Sequence, residues 1–362
     1  MPPRFTPVVA PLPSIVPFVG PETQERARGG AFEARIGANE SVFGPSPKAI
    51  AAMRQAAAEC WMYCDPENHD LKQALAKDFG LPAANFVVGE GIDSLFGYTV
   101  RLFVEPGDTV VSSLGAYPTF NFHVAGYGGK LVTVPYVDDR EDPESLIAAV
   151  RRERPKLVYF ANPDNPMGSW WSADAVQALI DAIPDETVLV LDEAYIEFAP
   201  SGTAPKIDVS RPNVIRYRTF SKAHGMAGAR VAYAIAEETI AKAFDKIRNH
   251  FSVNRIAQAG ALAALADKAW LTEVLRKVAH AKTAIAAIGR ENGLVPLPSA
   301  TNFVALDCGR DGAHAKRILD SLIAQGIFVR MPGVAPLNRC IRVSAGTETD
   351  LAAFARALPK AL

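Results

Sequence analysis

The sequence predicts an α/β protein: a mostly parallel sheet with helices on both faces, joined to a smaller α+β domain. Two observations carry this expectation. Short, continuously apolar runs at residues 85–88, 109–112, 157–160 and 188–191 alternate with helical stretches. That is the pattern of strands buried on both faces. Nearly every cluster of Gly, Asn, Asp and Tyr stands directly after such a run, at the edge where open α/β sheets bind ligands. With 362 residues the chain is long enough for a sizeable core and two domains.

Composition narrows the function classes. The chain is 49% hydrophobic with a formal net charge of −1. No block of Lys and Arg stands out, which argues against a nucleic acid or an anionic membrane as partner. Any anion is therefore held by a local pocket. Cys60 and Cys64 are spaced Cys-x-x-x-Cys, one residue wider than a redox or zinc pair, and Cys308 and Cys340 stand apart. No histidine cluster completes a metal site, so buried thiols in a reducing cytoplasm and no metal are expected. Pro2, Pro3, Pro7, Pro11, Pro13, Pro17 and Pro21 interrupt any apolar helical core of a signal peptide. No run of about 18 apolar residues appears, so no membrane span is expected.

In chain order, residues 1–31 read as a Pro-spaced extended arm lying on the small domain, with Ile15, Val16, Phe18 and Val19 needing a surface to cover. Residues 32–240 are assigned to the large domain and 241–362 to the small one. Ser46 and Pro47 open a helix over 48–58, and a second helix over 70–79 ends at Gly80. A strand at 85–88 runs into Gly89-Glu-Gly-Ile-Asp93 and a helix through 103. Strands at 109–112, 130–134, 157–160, 188–191 and 214–218 follow, with helices between most of them. Residues 237–291 are Ala-rich and helical. Strands at 303–306, 327–330 and 341–344, with helices at 313–325 and from about 347, make up the remainder.

The chemistry centres on Arg218-Thr-Phe-Ser-Lys-Ala-His-Gly-Met-Ala-Gly-Ala-Arg230, a small-residue crossing between two apolar strands. Its pattern Ser-Lys-x-x-Gly-x-x-Gly-x-Arg suits pyridoxal phosphate, which makes distinct physical demands. The aldehyde needs an amine, and Lys222 is the candidate. The ring nitrogen needs a buried carboxylate, and Asp192 follows Val-Leu-Val-Leu; an unpaired carboxylate there is costly. Asn165 and Tyr195, both at strand ends, are candidate donors to the 3′ oxygen. Backbone amides at Gly91, Ile92 and Asp93, opening a helix, offer an anion site. Ser221 adds a hydroxyl and Arg230 a guanidinium. An aromatic must cover the ring face; Phe120 is the first choice and Tyr117 the second.

Several segments resemble the fold-type I pyridoxal-phosphate aminotransferases of the class I/II group, above all the histidinol-phosphate aminotransferase branch. They are Asn39–Pro47, Tyr63–Pro66, Asn162–Gly168, Asp192–Tyr195, Ser221–Arg230, Thr301–Phe303 and Ile341–Thr347. The resemblance spans almost the whole chain. It implies a Schiff-base and proton-shuttling role for Lys222, a pyridinium partner in Asp192, and 3′-oxygen ligands in Asn165 and Tyr195. It also implies phosphate ligands in Ser221 and Arg230, and a homodimer in which Tyr63 reaches the neighbouring subunit's phosphate. Arg342 would grip the substrate acid group, Arg330 would be a second anion contact, and Asn39 and Glu40 would close over the substrate. The expected reaction moves an amino group between a donor such as histidinol phosphate and 2-oxoglutarate. Transamination of aromatic or other amino acids is an alternative, as is a decarboxylase of the threonine-phosphate type. Cys64, Ser94, Met167 and Phe120 depart from the residues usual in the family, and suggest a side branch with its own pocket.

Overall fold

The computed structural model describes residues 3–14 and 18–362; Ile15 and Val16 of the expected arm lie outside them. The arm is not extended throughout. Pro21–Arg28 forms α1, with Pro21 at its start, Glu22 in the first turn and Arg26 and Arg28 in the last. Those placements suit a helix N-terminus and dipole, and Gly29 at φ 75° ends it. A short strand follows, β1 (Ala34–Arg35), and then α2 (Pro47–Ala57), whose first turn is capped by Ser46 accepting from the Ala49 N–H. Next comes α3 (His69–Phe79).

From there the chain alternates between strand and helix: β2 (Phe86–Gly89), α4 (Ile92–Phe103), β3 (Thr109–Ser113), α5 (Pro118–Gly126), β4 (Lys130–Val134), α6 (Pro143–Glu153), β5 (Leu157–Ala161), α7 (Ala173–Ala182) and β6 (Val188–Asp192). The strands β7 (Val214–Thr219) and β8 (Ala232–Ile235) close the seven-stranded sheet, in the order β2-β8-β7-β6-β5-β3-β4. Its pairings are parallel except for β8, which runs antiparallel to both neighbours. Strands β5 and β6 are buried at every position, as continuous apolar runs require.

The rest of the chain is α8 (Glu238–Ala243), α9 (Arg255–Ala266), α10 (Lys268–Glu291), β9 (Val295–Pro296), β10 (Phe303–Asp307), α11 (Gly312–Ala324), β11 (Ile327–Phe328), β12 (Cys340–Ser344) and α12 (Glu348–Ala361). An antiparallel sheet β12-β10-β9 forms the small domain's centre, and β1 pairs in parallel with β11.

Both expected domain boundaries move. Ala34 and Ile36 share a core with Ile285, Val304, Ile327, Ile341 and Phe354, so the chain is still in the small domain beyond residue 32. At the other boundary, Ala257, Ala261 and Ala264 of α9 share a core with Ala49 and Leu71. The large domain therefore extends past 240 to the end of α9. Small side chains bring α9 close to α2: a Cβ on Gly260 would lie 2.6 Å from Met53 Cγ. Cys64, Cys308 and Cys340 are buried free thiols, but Cys60 is exposed, against expectation. Among the described residues no helix is long and apolar enough to cross a membrane.

Candidate active site

The C-terminal ends of β5, β6 and β7 and the start of α4 converge on a cavity of about 550 Å³, closed on its far side by the small domain. Lys222 lies in the crossing from β7 to β8 and points into this cavity, its Nζ donating to the Asn39 carbonyl at 3.1 Å. The crossing is held close to the 39–45 loop by Gly225, which has φ 68°; a Cβ there would collide with the Gly44 carbonyl. Only glycine takes that backbone conformation at so tight an approach without strain.

Asp192 ends β6 and is fully within the protein. Burial raises its pKa to about 6, although the Tyr159 hydroxyl (2.7 Å) and the Ala194 N–H (2.9 Å) both donate to it. Among the described residues it has no cationic partner. A pyridinium nitrogen would supply one, and an anionic Asp192 would be stabilised by it. Tyr195 follows in the same segment, accepting from Asn39 Nδ2 at 2.9 Å, with Lys222 Nζ 5.6 Å from its ring centroid.

Asn39 differs from the expected substrate contact. It lines the cavity but is only 2% exposed. Its amide is committed to Tyr195 and to Ser344 Oγ (3.1 Å), and its carbonyl receives Lys222 and Asn302. With both side-chain atoms engaged, it positions Lys222 and Tyr195 and has little left to offer a substrate. Glu40, beside it, lines the cavity mouth.

The anion corner comes together as expected. Gly91 caps α4 at φ 99°, and a Cβ there would run into the Arg230 guanidinium. Ile92 and Asp93 line the cavity beside Ser221 and Arg230. Arg230 Nη1 lies 3.4 Å from Ser221 Oγ, and Arg230 itself takes φ 58°. A helix N-terminus, a hydroxyl and a guanidinium converge there, and that donor set suits a phosphate dianion.

The ring-face expectation needs correction. Phe120 is fully buried, edge-on to Phe96 and stacked at 4.9 Å on Tyr159, inside the large-domain core. Tyr117, the second choice, lines the cavity. The local structure explains the exchange. Tyr117 is the N-cap of α5 with Pro118 at the first helical position, so it stays at the sheet edge. Phe120 lies inside the first turn and faces the sheet.

On the opposite wall, Arg342 of β12 is 8% exposed and its guanidinium donates to Asn165 Oδ1. Burial lowers its pKa. Arg330 bridges to Arg342 through backbone hydrogen bonds. Burial, with Arg342 next, brings its pKa to about 10, so it stays cationic at neutral pH. Its guanidinium stacks 3.9 Å from the Phe18 ring centroid and donates to the Val19 carbonyl. Neither arginine pairs with an acid among the described residues, and the Nε of each is buried without a partner. Two further groups escaped the sequence reading as site residues. Phe18 covers Arg330. Asp164, buried under Asn165 and bonded by Tyr136 Oη (2.7 Å), has its pKa raised by burial to about 7. The sequence marked Phe18 as an apolar residue needing a surface but did not say which one, and no pattern flagged Asp164.

Tyr63 stands outside this cavity, 79% exposed, its ring tilted against that of Phe251 at 4.7 Å.

A lysine on a strand crossing, facing a buried acid and an anion cradle across one cavity, defines a fold-type I pyridoxal-phosphate transferase. Residues 34–358 match the family described as aminotransferase class I and II, and the chain belongs to that family. It is a pyridoxal-phosphate-dependent aminotransferase. A crystal structure of histidinol-phosphate aminotransferase from Sinorhizobium meliloti in complex with pyridoxal-5′-phosphate is 58% identical with a TM-score of 0.96, covering 99% of this chain and 97% of that one. Histidinol-phosphate aminotransferase 2 of Ralstonia nicotianae is 36% identical over 96% of this chain and 95% of its own length. Histidinol-phosphate aminotransferase 2 of Carboxydothermus hydrogenoformans is 33% identical over 97% of each.

Proposed function

We propose that the enzyme transfers an amino group from histidinol phosphate, or a donor of the same dianionic kind, to 2-oxoglutarate. The observation that carries this reading is the pair Arg330 and Arg342: two guanidinium groups on one cavity wall, neither in an ion pair with an acid among the described residues. Such a wall suits substrates bearing a phosphate or a second carboxylate. The near full-length similarity to histidinol-phosphate aminotransferases supports the same donor.

Bound pyridoxal phosphate supplies the aldehyde that exchanges amines and a ring that withdraws electrons from the reacting carbon. The protein residues do the rest. Lys222 Nζ would take the α proton from the donor and return it to the carbon that was the cofactor's aldehyde carbon. Asp192 would hold a proton on the ring nitrogen. Asn165 and Tyr195 would donate to the 3′ oxygen, Tyr117 would cover the ring, and the Gly91–Asp93 amides with Ser221 and Arg230 would hold the phosphate. Arg342 orients the acid group of each substrate in turn. Tyr63, exposed on an aromatic platform, reaches the partner's phosphate in a homodimer of cytoplasmic placement.

The test is a panel of amino donors, each with 2-oxoglutarate, followed by glutamate formation. Histidinol phosphate should lead in kcat/KM. Preference for an uncharged aromatic donor would replace the substrate assignment, and gas release without use of the oxo acid would point to decarboxylation.

A further inference from the structure

The large-domain wall carries one acid whose side chain has no part in the cofactor contacts above. Asp93 is the second residue of α4, at the corner where backbone amides face the anion site. A helix N-terminus favours a carboxylate, yet this one stands 3.9 Å from Arg230 Nη2 and competes with a phosphate for that guanidinium. For binding an anion alone, a neutral residue would serve better. The second carboxylate oxygen accounts for its presence: it accepts the Tyr117 hydroxyl at 2.9 Å. Burial first, and then the Asp93 charge, push the Tyr117 pKa far up, so the phenol remains a donor throughout the working pH range. Tyr117 is otherwise a residue at a helix entrance, fixed through its backbone next to Pro118.

We propose that Asp93 is a positioning residue for the cofactor: it pins the Tyr117 hydroxyl so that the phenol plane lies against the ring. The proposal rests on the pyridoxal-phosphate assignment. It separates two roles of one carboxylate. The hydrogen bond to Tyr117 sets ring orientation, and the charge near Arg230 weakens phosphate affinity. Asparagine keeps an acceptor and loses the charge; alanine loses both.

The experiment titrates the apo-protein with pyridoxal phosphate. Absorbance gives the dissociation constant, and visible circular dichroism of the bound cofactor gives ring orientation. Asp93→Ala and Tyr117→Phe should each reduce the dichroic band and raise the dissociation constant about tenfold, the size of one lost charge-assisted hydrogen bond. The double variant should be no worse than either single one, as for two partners of one interaction. Asp93→Asn should keep the dichroic band and bind at least as tightly as wild type. Wild-type dichroism in Asp93→Ala and Tyr117→Phe, or additive losses in the double variant, would overturn the proposal. Tyr117→Phe keeps the ring and its packing, so it decides the matter even if Asp93→Ala misfolds. A wild type that binds no cofactor would defeat the cofactor assignment itself, a different result from either of these.

Discussion

The floor of the cavity and the wall opposite it are assembled in different ways. On the floor, Asn165, Asp192, Tyr195 and Lys222 stand at or just past the ends of adjacent strands of one sheet, their spacing set by strand pairing. The opposite wall draws on separate segments: Arg342 from a small-domain strand, Arg330 from the chain after β11, and Phe18 with Val19 from the arm. The floor is therefore rigid by construction, whereas the wall depends on how two domains and an arm come together. On the proposed reading, chemistry common to many substrates would sit on the floor, and discrimination among substrates on the opposite wall.

Substitutions can break or sharpen that contrast. The largest effect should come from the floor. Lys222→Ala removes both the amine and the proton carrier, and kcat should fall by about 10³-fold or more, measured as glutamate formation. On the wall, Arg342→Ala should lower kcat/KM by about 10²-fold, since a buried guanidinium makes charge-assisted bonds to the substrate acid group. Cofactor affinity should change far less. Arg330→Ala, partly shared with Phe18 and Val19, should cost about tenfold, and only for donors that carry a second anion. Equal losses at both arginines for every donor would erase the difference between them.

The pH response of the floor follows from Asp192. Its pKa in the folded protein, about 6, lies above the ordinary aspartate range. The folded apo-protein thus binds that proton more tightly than the unfolded chain. Stability contributed by this carboxyl falls as pH rises from the ordinary aspartate range through about 6. A cationic ring nitrogen needs the ionised form, so wild-type cofactor affinity should gain roughly tenfold between pH 5 and 7 relative to Asp192→Asn. Parallel titrations of both proteins check it; identical pH profiles would remove Asp192 from the ring nitrogen. A separate effect is on stability. Gly225→Ala puts a Cβ against the Gly44 carbonyl at a positive φ, and should cost about 1–3 kcal/mol in denaturant unfolding.

The same contrast decides what the sequence disclosed. Asp192, Asn165 and the Gly91–Asp93 turn were legible because an apolar run followed at once by polar residues marks a strand end, and strand ends are where such sheets bind ligands. Phe120 was misplaced because two aromatics three residues apart look alike until the start of α5 at Pro118 decides which one enters the core. The cover over Arg330 was hidden because more than 300 residues separate Val19 from Arg330, and nothing local encodes that contact. The domain limits moved for a similar reason. The β1–β11 pairing and the packing of α9 on α2 are long-range, and a helix rich in Ala and Gly carries little sign of which surface it will cover.

The most direct test omits the oxo acid altogether. Holoenzyme mixed with histidinol phosphate alone should lose its yellow colour with one amino group taken up per subunit. Adding 2-oxoglutarate should then restore the colour and release one equivalent of glutamate. An enzyme that keeps its colour with histidinol phosphate, or regains it without any oxo acid, would contradict an amino transfer between these two substrates.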